Sequence, residues 1–207
     1  MTRRQSTLWS ISGPTLRGLA VLLAGLGLAA PAAAQTLTEQ QARQQVASSR
    51  GVQVVVADLD FIDAATKRQF EQAGKQFPYY GAFVLSPGDP QSNQSGLAAA
   101  NYHSPQAAVE AALRDCNARR TTGDPCVVVA QTYPRGYEAG GLTLSTDATE
   151  ALRGDFRRLD SPKALAISPT TGHFAFARGD GARAQSACNA AAGASGAQDC
   201  RVVVVDP

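Results

Sequence analysis

Four cysteines are the residues whose spacing constrains the chemistry of this chain most strongly. Cys116 and Cys188 each begin a Cys-Asn-Ala tripeptide at the end of a helix-like stretch, and Cys126 and Cys200 each lead a valine-rich run. Neither pair has Cys-x-x-Cys spacing or a nearby histidine, which disfavours a redox-active thiol or a zinc site. Each pair links neighbouring elements, so we predict the disulfides Cys116–Cys126 and Cys188–Cys200 rather than the other two pairings.

His103 is the one weak candidate for a catalytic residue. Its imidazole stands beside Tyr102 and Ser104 and could serve as a base in a hydrolase or transferase. We expect instead that His103 is exposed at a helix entry and that Ser104 caps the helix, which leaves that hydroxyl poorly placed for attack. His173 lies in a predicted turn without a paired ligand, so we expect no metal site.

Asp58, Asp60 and Asp63 form the densest acidic cluster, next to the end of a predicted strand. The glycine and the final glutamate of a calcium-binding loop are absent from this stretch. We therefore interpret the cluster as solvated loop acids, of which Asp63 caps a helix. The chain also lacks a Gly-x-Ser-x-Gly elbow, a phosphate-binding loop and a His-Glu-x-x-His motif, and we expect no cofactor.

Aromatic residues with polar groups provide the candidate binding residues. They lie at predicted strand edges or in loops, where such side chains suit a recognition surface. An equally good interpretation is that they cover a small, alanine-rich core. The candidates, with one arginine among them, are Tyr79, Tyr80, Tyr102, Arg135 and Tyr137.

Residues 1–34 have the pattern of a secretory signal peptide. Arginines precede the apolar run 19–30, and an Ala32-x-Ala34 site stands directly before Gln35. The run is too short to span a bilayer, and no later segment is long and apolar enough to do so. We expect a mature protein that begins at Gln35 and is periplasmic or secreted. The pair Arg3-Arg4 leaves open twin-arginine export as well as general secretion.

The charge balance changes when the signal is removed. The whole chain has 19 basic and 17 acidic side chains, a formal net charge of +2. Three arginines and no acidic residue lie in residues 1–34, so 16 basic and 17 acidic side chains remain. A nearly neutral protein has no strong electrostatic attraction to nucleic acid or anionic lipid. The expected partner is therefore an unknown protein or small-molecule ligand.

The remaining chain divides into an N-terminal helix at residues 35–51, a first repeat at 52–133 and a second repeat at 141–207. In each repeat the periodicity predicts the order β-α-β-β-α-β, and the second repeat opens with a predicted strand at Leu142–Ser145. A shorter β-β-α-β repeat with unrelated inserted helices is the alternative.

Local motifs recur in the same order in both repeats. Leu85-Ser86-Pro87 is matched by Ile167-Ser168-Pro169, and the two Cys-Asn-Ala tripeptides follow. Repetition in fixed order predicts an internal duplication. The fold class predicted is α+β, with an antiparallel sheet that carries its helices on one face, as in the split βαβ arrangement, and with disulfide staples.

The combination of a strand that ends in Ser-Pro, Tyr102-His103-Ser104 opening an alanine-rich helix, and a Cys-Val-Val-Val strand resembles small bacterial exported proteins of unknown function with paired-cysteine repeats. This resemblance covers most of residues 52–206. Similar exported proteins that share Pro78-Tyr79-Tyr80-Gly81-Ala82 sometimes carry the label 5-aminolevulinate synthase. The label implies a pyridoxal-phosphate enzyme, which needs a far larger fold, a phosphate loop and a Schiff-base lysine.

The function expected from the sequence is that of a non-catalytic binding or envelope-associated module outside the cytoplasm. The competing expectation is a small extracytoplasmic hydrolase or transferase that uses His103. The label of 5-aminolevulinate synthase is a misnomer in this interpretation, because the chain is exported and short, and its only lysines are Lys67, Lys75 and Lys163.

Overall fold

The structure is a computed structural model that describes residues 36–47, 50–89 and 97–207. The predicted signal peptide, its cleavage site and most of the predicted loop at residues 87–96 lie outside the described residues. No helix in the described ranges is both long and apolar enough to cross a membrane. The helices are α1 (Glu39–Gln45), α2 (Ala64–Gly74), α3 (Pro105–Arg119), α4 (Thr146–Arg153), α5 (Asp155–Arg158) and α6 (Gly181–Gly193). The strands are β1 (Val52–Val56), β2 (Gly81–Leu85), β3 (Leu97–Ala99), β4 (Val127–Pro134), β5 (Lys163–Ile167), β6 (Phe174–Arg178) and β7 (Arg201–Asp206).

The strands form two antiparallel sheets, so the predicted α+β class is confirmed. The first sheet has the order β1-β4-β2-β3 and the second has the order β6-β5-β7. Their central strands β2 and β5 are buried along their whole length. A strand that is buried on both faces needs a covering layer on each side, which the helices supply.

The two halves share the unit β-β-α-β. In the first half it is β2-β3-α3-β4, and in the second it is β5-β6-α6-β7. The register shifts at matching places, between Phe83 and Val84 in β2 and between Leu165 and Ala166 in β5. The β-β-α-β order is therefore present in both halves, whereas a sequence repeat and its origin by duplication remain predictions.

The longer β-α-β-β-α-β order is wrong for the second half. Leu142–Ser145 forms no strand. Leu144 is buried in the core, and Ser145 caps α4 by accepting a hydrogen bond from the Ala148 amide. Ser145 keeps the extended backbone that is usual for a capping residue, with φ −56° and ψ 165°, but it belongs to no strand. The backbone of Leu37 instead forms a parallel bridge with Val204 at the edge of β7.

The prediction that the helices share one face of the sheet is also wrong. Phe83 and Leu85 of β2 belong to the cluster with Phe70 of α2, whereas Ala82 and Val84 belong to the cluster covered by α3. Neighbouring strand residues point to opposite faces, so α2 and α3 cover opposite sides of the first sheet. The second sheet is arranged alike, with α1, α4 and α5 on one face and α6 on the other.

Capping residues set the helix starts as the sequence predicts. Asp63 accepts a hydrogen bond from the Thr66 amide, which starts α2. Ser104 precedes Pro105, the first residue of α3, and accepts a hydrogen bond from the Ala107 amide. Thr38 and Gln41 form a complete capping box at α1.

Both predicted disulfides are confirmed. Cys116 is bonded to Cys126, and Cys188 is bonded to Cys200. The asparagine after the first cysteine of each pair has a role of its own, because Asn117 accepts a hydrogen bond from the Cys126 amide. Asn189 does the same for the Cys200 amide. The Cys-Asn motif therefore fixes the start of the following strand twice, once by a covalent bond and once by a hydrogen bond.

Candidate functional site

His103 is buried between the two halves, and the prediction that it is exposed is wrong. Only 2% of the residue is accessible. The Ser145 amide donates to Nδ1 over 3.1 Å, which fixes Nδ1 as the acceptor. Nε2 therefore carries the proton and donates it to the carbonyl oxygen of His173 over 3.0 Å. Burial lowers the pKa of His103 to about 4, so the ring is neutral near pH 7.

Other polar contacts join the halves beside His103. The side chain of Asn101 donates to Asp147 over 2.7 Å and accepts from the Asp147 amide. The Tyr79 amide donates to the Thr146 hydroxyl over 3.0 Å. The N-terminus of α4 thus docks on the first half, and His103 is one member of a structural contact. The sequence did not reveal this because every partner lies in the other half of the chain.

Tyr79 and Tyr80 are buried, so a recognition surface is the wrong interpretation for these two residues. They are 1% and 2% accessible. Burial raises the pKa of both phenols, and most strongly that of Tyr80. The alternative interpretation, aromatic cover over an alanine-rich core, holds here. Tyr80 packs against Ala82, Ala108 and Ala111 in one cluster.

The other binding candidates lie nearer to the surface. Tyr137 is partly exposed and stacks on Tyr133 with ring centroids 5.3 Å apart, and Arg135 is exposed. Tyr102 is partly buried at the edge of the same cluster. A cavity of about 220 Å³ is lined by Tyr80 and Tyr137 together with the end of α1. Of the five candidates, Tyr80 and Tyr137 line this cavity, whereas Tyr79, Tyr102 and Arg135 do not.

The acidic cluster behaves as predicted. Asp63 caps α2, and the hydrogen bond from Thr66 lowers the pKa of its carboxyl. Asp58 is exposed and forms an ion pair with Lys67. No group of three or more potential metal ligands occurs among the residues that the structure describes.

His173 has a partner that the sequence did not predict. Its Nε2 lies 3.1 Å from the hydroxyl oxygen of Ser195, after the end of α6. Its carbonyl oxygen accepts the bond from His103. This contact closes the end of α6 against the β5–β6 turn.

A more voluminous depression than the cavity beside Tyr80 lies where α1 meets the end of α4 and the end of β7. We name it the arginine depression. Its volume is about 500 Å³, and every lining side chain is polar or charged. The lining residues are Glu39, Gln40, Arg43, Gln44, Arg153 and Asp206.

Only some of the N–H donors of the two arginines in this depression have acceptors in the protein. Arg153 donates from Nη2 to the carbonyl oxygens of Arg43 and Val46, 3.3 and 3.1 Å away, and so caps the end of α1. Arg43 lies 3.5 Å from Glu39 through Nη1, an ion-pair contact longer than a normal hydrogen bond. The Nε atoms of both arginines are buried and have no acceptor among the described residues.

Both acidic side chains of the same depression form ion pairs with a buried lysine. Lys163, 4% exposed, lies 2.8 Å from Glu39 and 3.8 Å from Asp206. Its ammonium group also donates to the carbonyl oxygens of Phe156 and Leu159, at 3.1 and 2.9 Å. These contacts satisfy a buried cation that would otherwise be costly.

None of the residues of the arginine depression was a candidate from the sequence. Glu39 and Arg43 carry a weak signal, since they are four residues apart on a predicted helix and therefore share one face. Arg153, Lys163 and Asp206 come from the other half of the chain, and no local pattern connects them with α1.

Comparisons with known proteins give no match: no family model, no curated protein and no solved structure resembles this chain significantly.

Proposed function

We propose that the protein is an exported, non-catalytic binding module that holds a small ligand in the arginine depression. We further propose that it is one of the small bacterial exported proteins with paired-cysteine repeats that its sequence resembles. The observation that carries the binding proposal is a depression of about 500 Å³ that contains two incompletely satisfied guanidinium groups. This volume lies within the range of small-molecule sites, roughly 300 to 1,000 Å³.

Two disulfides support the extracytoplasmic part of the proposal. Disulfides persist in oxidising compartments and are rare in the cytosol. All four cysteines are bonded, and none is free. A periplasmic or secreted location agrees with this chemistry and with the signal peptide predicted at residues 1–34.

The hydrogen bonds of His103 favour binding over the competing hydrolase or transferase proposal. A general base needs a ring nitrogen that can reach the substrate. Both ring nitrogens of His103 bond to backbone groups of the second half. Catalysis by this residue would first require the halves to separate at this contact.

A single tryptophan would test the site. Trp9 is the only tryptophan in the sequence and lies in the predicted signal peptide. In the mature protein, Gln40→Trp therefore places one reporter at the exposed wall of the depression. Gln69→Trp, on the exposed side of α2, is the matched control.

We expect saturable changes in the fluorescence of the Gln40→Trp protein with at least one member of a panel of small carboxylates, phosphates, sugars, amines and short peptides. The Gln69→Trp protein should not respond to the same ligand. A panel without any response would contradict the proposal. Turnover of ester or phosphoester substrates that a His103 variant abolishes at unchanged melting temperature would favour the competing enzyme instead.

A further inference from the structure

We infer that the arginine depression recognises an oxyanion, namely the carboxylate or phosphate group of a small ligand. This inference rests on the proposed binding function and names the chemistry of the ligand. The groups that carry it are the guanidinium groups of Arg43 and Arg153, which line the depression from different elements.

The hydrogen-bonding capacity of these guanidinium groups exceeds the acceptors present. A guanidinium has five N–H donors in a rigid planar arrangement that matches an oxyanion in bidentate fashion. Arg43 has one long contact to Glu39, and Arg153 uses Nη2 for two carbonyl oxygens. The Nε–H of each is excluded from solvent without an acceptor. Two cations that are partly desolvated and incompletely bonded gain much from an anion at their open edges.

The local charges leave room for one anion. Arg43, Arg153 and Lys163 are three cations, whereas Glu39 and Asp206 are two carboxylates. Both carboxylates lie within ion-pair distance of Lys163. Glu39 also contacts Arg43, and the five groups together leave a net charge of one positive unit in the depression. Attraction between this charge and an anion is strengthened because the groups are partly shielded from water.

The remaining walls can bind a polar ligand around its charged group. Gln40 and Gln44 are exposed on α1 and line the same depression. Each amide offers both donors and acceptors. We therefore expect a ligand with hydroxyl or amide groups next to the anionic group, rather than an apolar one.

The test uses the mature protein with inorganic phosphate and succinate as probes, and succinamide as the uncharged analogue of succinate. Binding is measured by titration calorimetry at constant ionic strength. We expect succinate or phosphate to bind and succinamide to bind at least tenfold more weakly. A response to phosphate alone or to succinate alone supports the inference and shows which oxyanion fits.

Arg43→Lys keeps the positive charge and removes the bidentate donors. We expect it to weaken binding of the anion at least tenfold. The matched control is Arg68→Lys on the exposed side of α2, which should bind within twofold of the unchanged protein. Melting temperatures of both variants establish that they are folded, and Arg153, which also caps α1, is left unchanged for this reason.

Three results would overturn the inference: no binding of either anion, equal binding of succinate and succinamide, or unchanged binding in Arg43→Lys. The proposed binding function can be tested separately from the anion specificity. If the Gln40→Trp reporter responds to an uncharged or cationic ligand while both anions fail, the depression is a binding site and only its anion specificity is wrong.

Discussion

The imidazole of His103 donates its Nε2 proton to the backbone carbonyl oxygen of His173, 3.0 Å away in the other half of the molecule. The Ser145 amide, also in the second half, occupies the opposite ring nitrogen. A neutral imidazole is one donor and one acceptor, and this site uses both. A second proton on Nδ1 would face the Ser145 N–H, so protonation and the contact between the halves exclude each other.

Stability should therefore fall between pH 6.5 and about pH 4. The folded pKa of His103 is about 4 and the ordinary value is 6.5, so the unfolded chain takes up the proton first as the pH falls. The neutral ring of His103 adds about 3 kcal/mol to the free energy of unfolding. This contribution is fully present above pH 6.5 and is lost by pH 4. Chemical denaturation at a series of pH values measures it.

The control for this pH dependence is a His103→Gln variant, in which the slope in this window should be absent. Asp58, Asp63 and Asp199 have lowered carboxyl pKa values, so their contributions to stability are lost mainly as the pH falls through and below 3.8, at the lower edge of the window, and they are present in both proteins. Equal slopes in both proteins would show that another group titrates there.

Replacing His103 with Ala should destabilise the fold by about 3 kcal/mol. The change leaves the buried Ser145 amide without an acceptor and creates a cavity, whereas the His173 carbonyl keeps the hydrogen bond from the Ser168 amide. An exposed His103, as expected from the sequence, could be replaced without loss of stability, whereas the buried one cannot. His173→Ala is the matched control, because it keeps the backbone carbonyl that His103 uses and should cost less than about 1 kcal/mol. Urea unfolding of the two variants gives the comparison, and similar losses would contradict this account.

Gly172 and Gly136 offer a second matched pair. Both have a positive φ, +78° and +75°. A Cβ at Gly172 would overlap the carbonyl oxygen of Asn101 across the contact between the halves, whereas a Cβ at Gly136 meets nothing within 4 Å. Gly136→Ala should cost about 1 kcal/mol for its backbone conformation alone. Gly172→Ala should cost at least about 2 kcal/mol more, and thermal melts that give equal shifts would show that the halves adjust freely.

Removal of the second disulfide by Cys188→Ser with Cys200→Ser should destabilise the protein by about 3 kcal/mol. The bonded residues are 12 apart, and a loop of this size restricts the unfolded chain by about that amount. The equivalent double variant at Cys116 and Cys126, 10 residues apart, should lose a similar amount. Peptide mapping without reductant checks the pairing, and a peptide that joins Cys116 to Cys188 would refute it.

The mature protein should begin at Gln35 and show no tryptophan fluorescence, because Trp9 leaves with the signal peptide. Intact mass of the protein recovered from periplasm or medium measures this. Retention of residues 1–34 in that fraction would contradict the prediction.

Features that depend on neighbours in sequence were predicted well. The caps at Asp63 and Ser104 and the two disulfides were correct because each joins residues within one short stretch. The predicted Cys-Val-Val-Val strand is present as β4, directly after Cys126, since a run of β-branched residues favours a strand.

Features that depend on distant parts of the chain were missed. Leu142–Ser145 has the pattern of a strand, but docking of α4 on the first half directs Ser145 into a cap. The burial of His103 arises from the same contact between halves, in which Tyr79 also takes part. Arg43 and Arg153 meet because α1 packs on the second sheet, an arrangement that no local periodicity encodes.

The bridge between Leu37 and Val204 has a consequence for chain topology. The segment at Leu37 runs parallel beside the last strand, so a linker that returns along this edge from the end of β7 to Thr36 could rejoin the chain there. A circular permutant opened at the exposed turn Gly140–Gly141 would then run through the second sheet, continue directly into α1 and finish with the first sheet. In that order the second half and the helix that covers it become one continuous stretch of sequence, and the arginine depression would belong to a single folding unit.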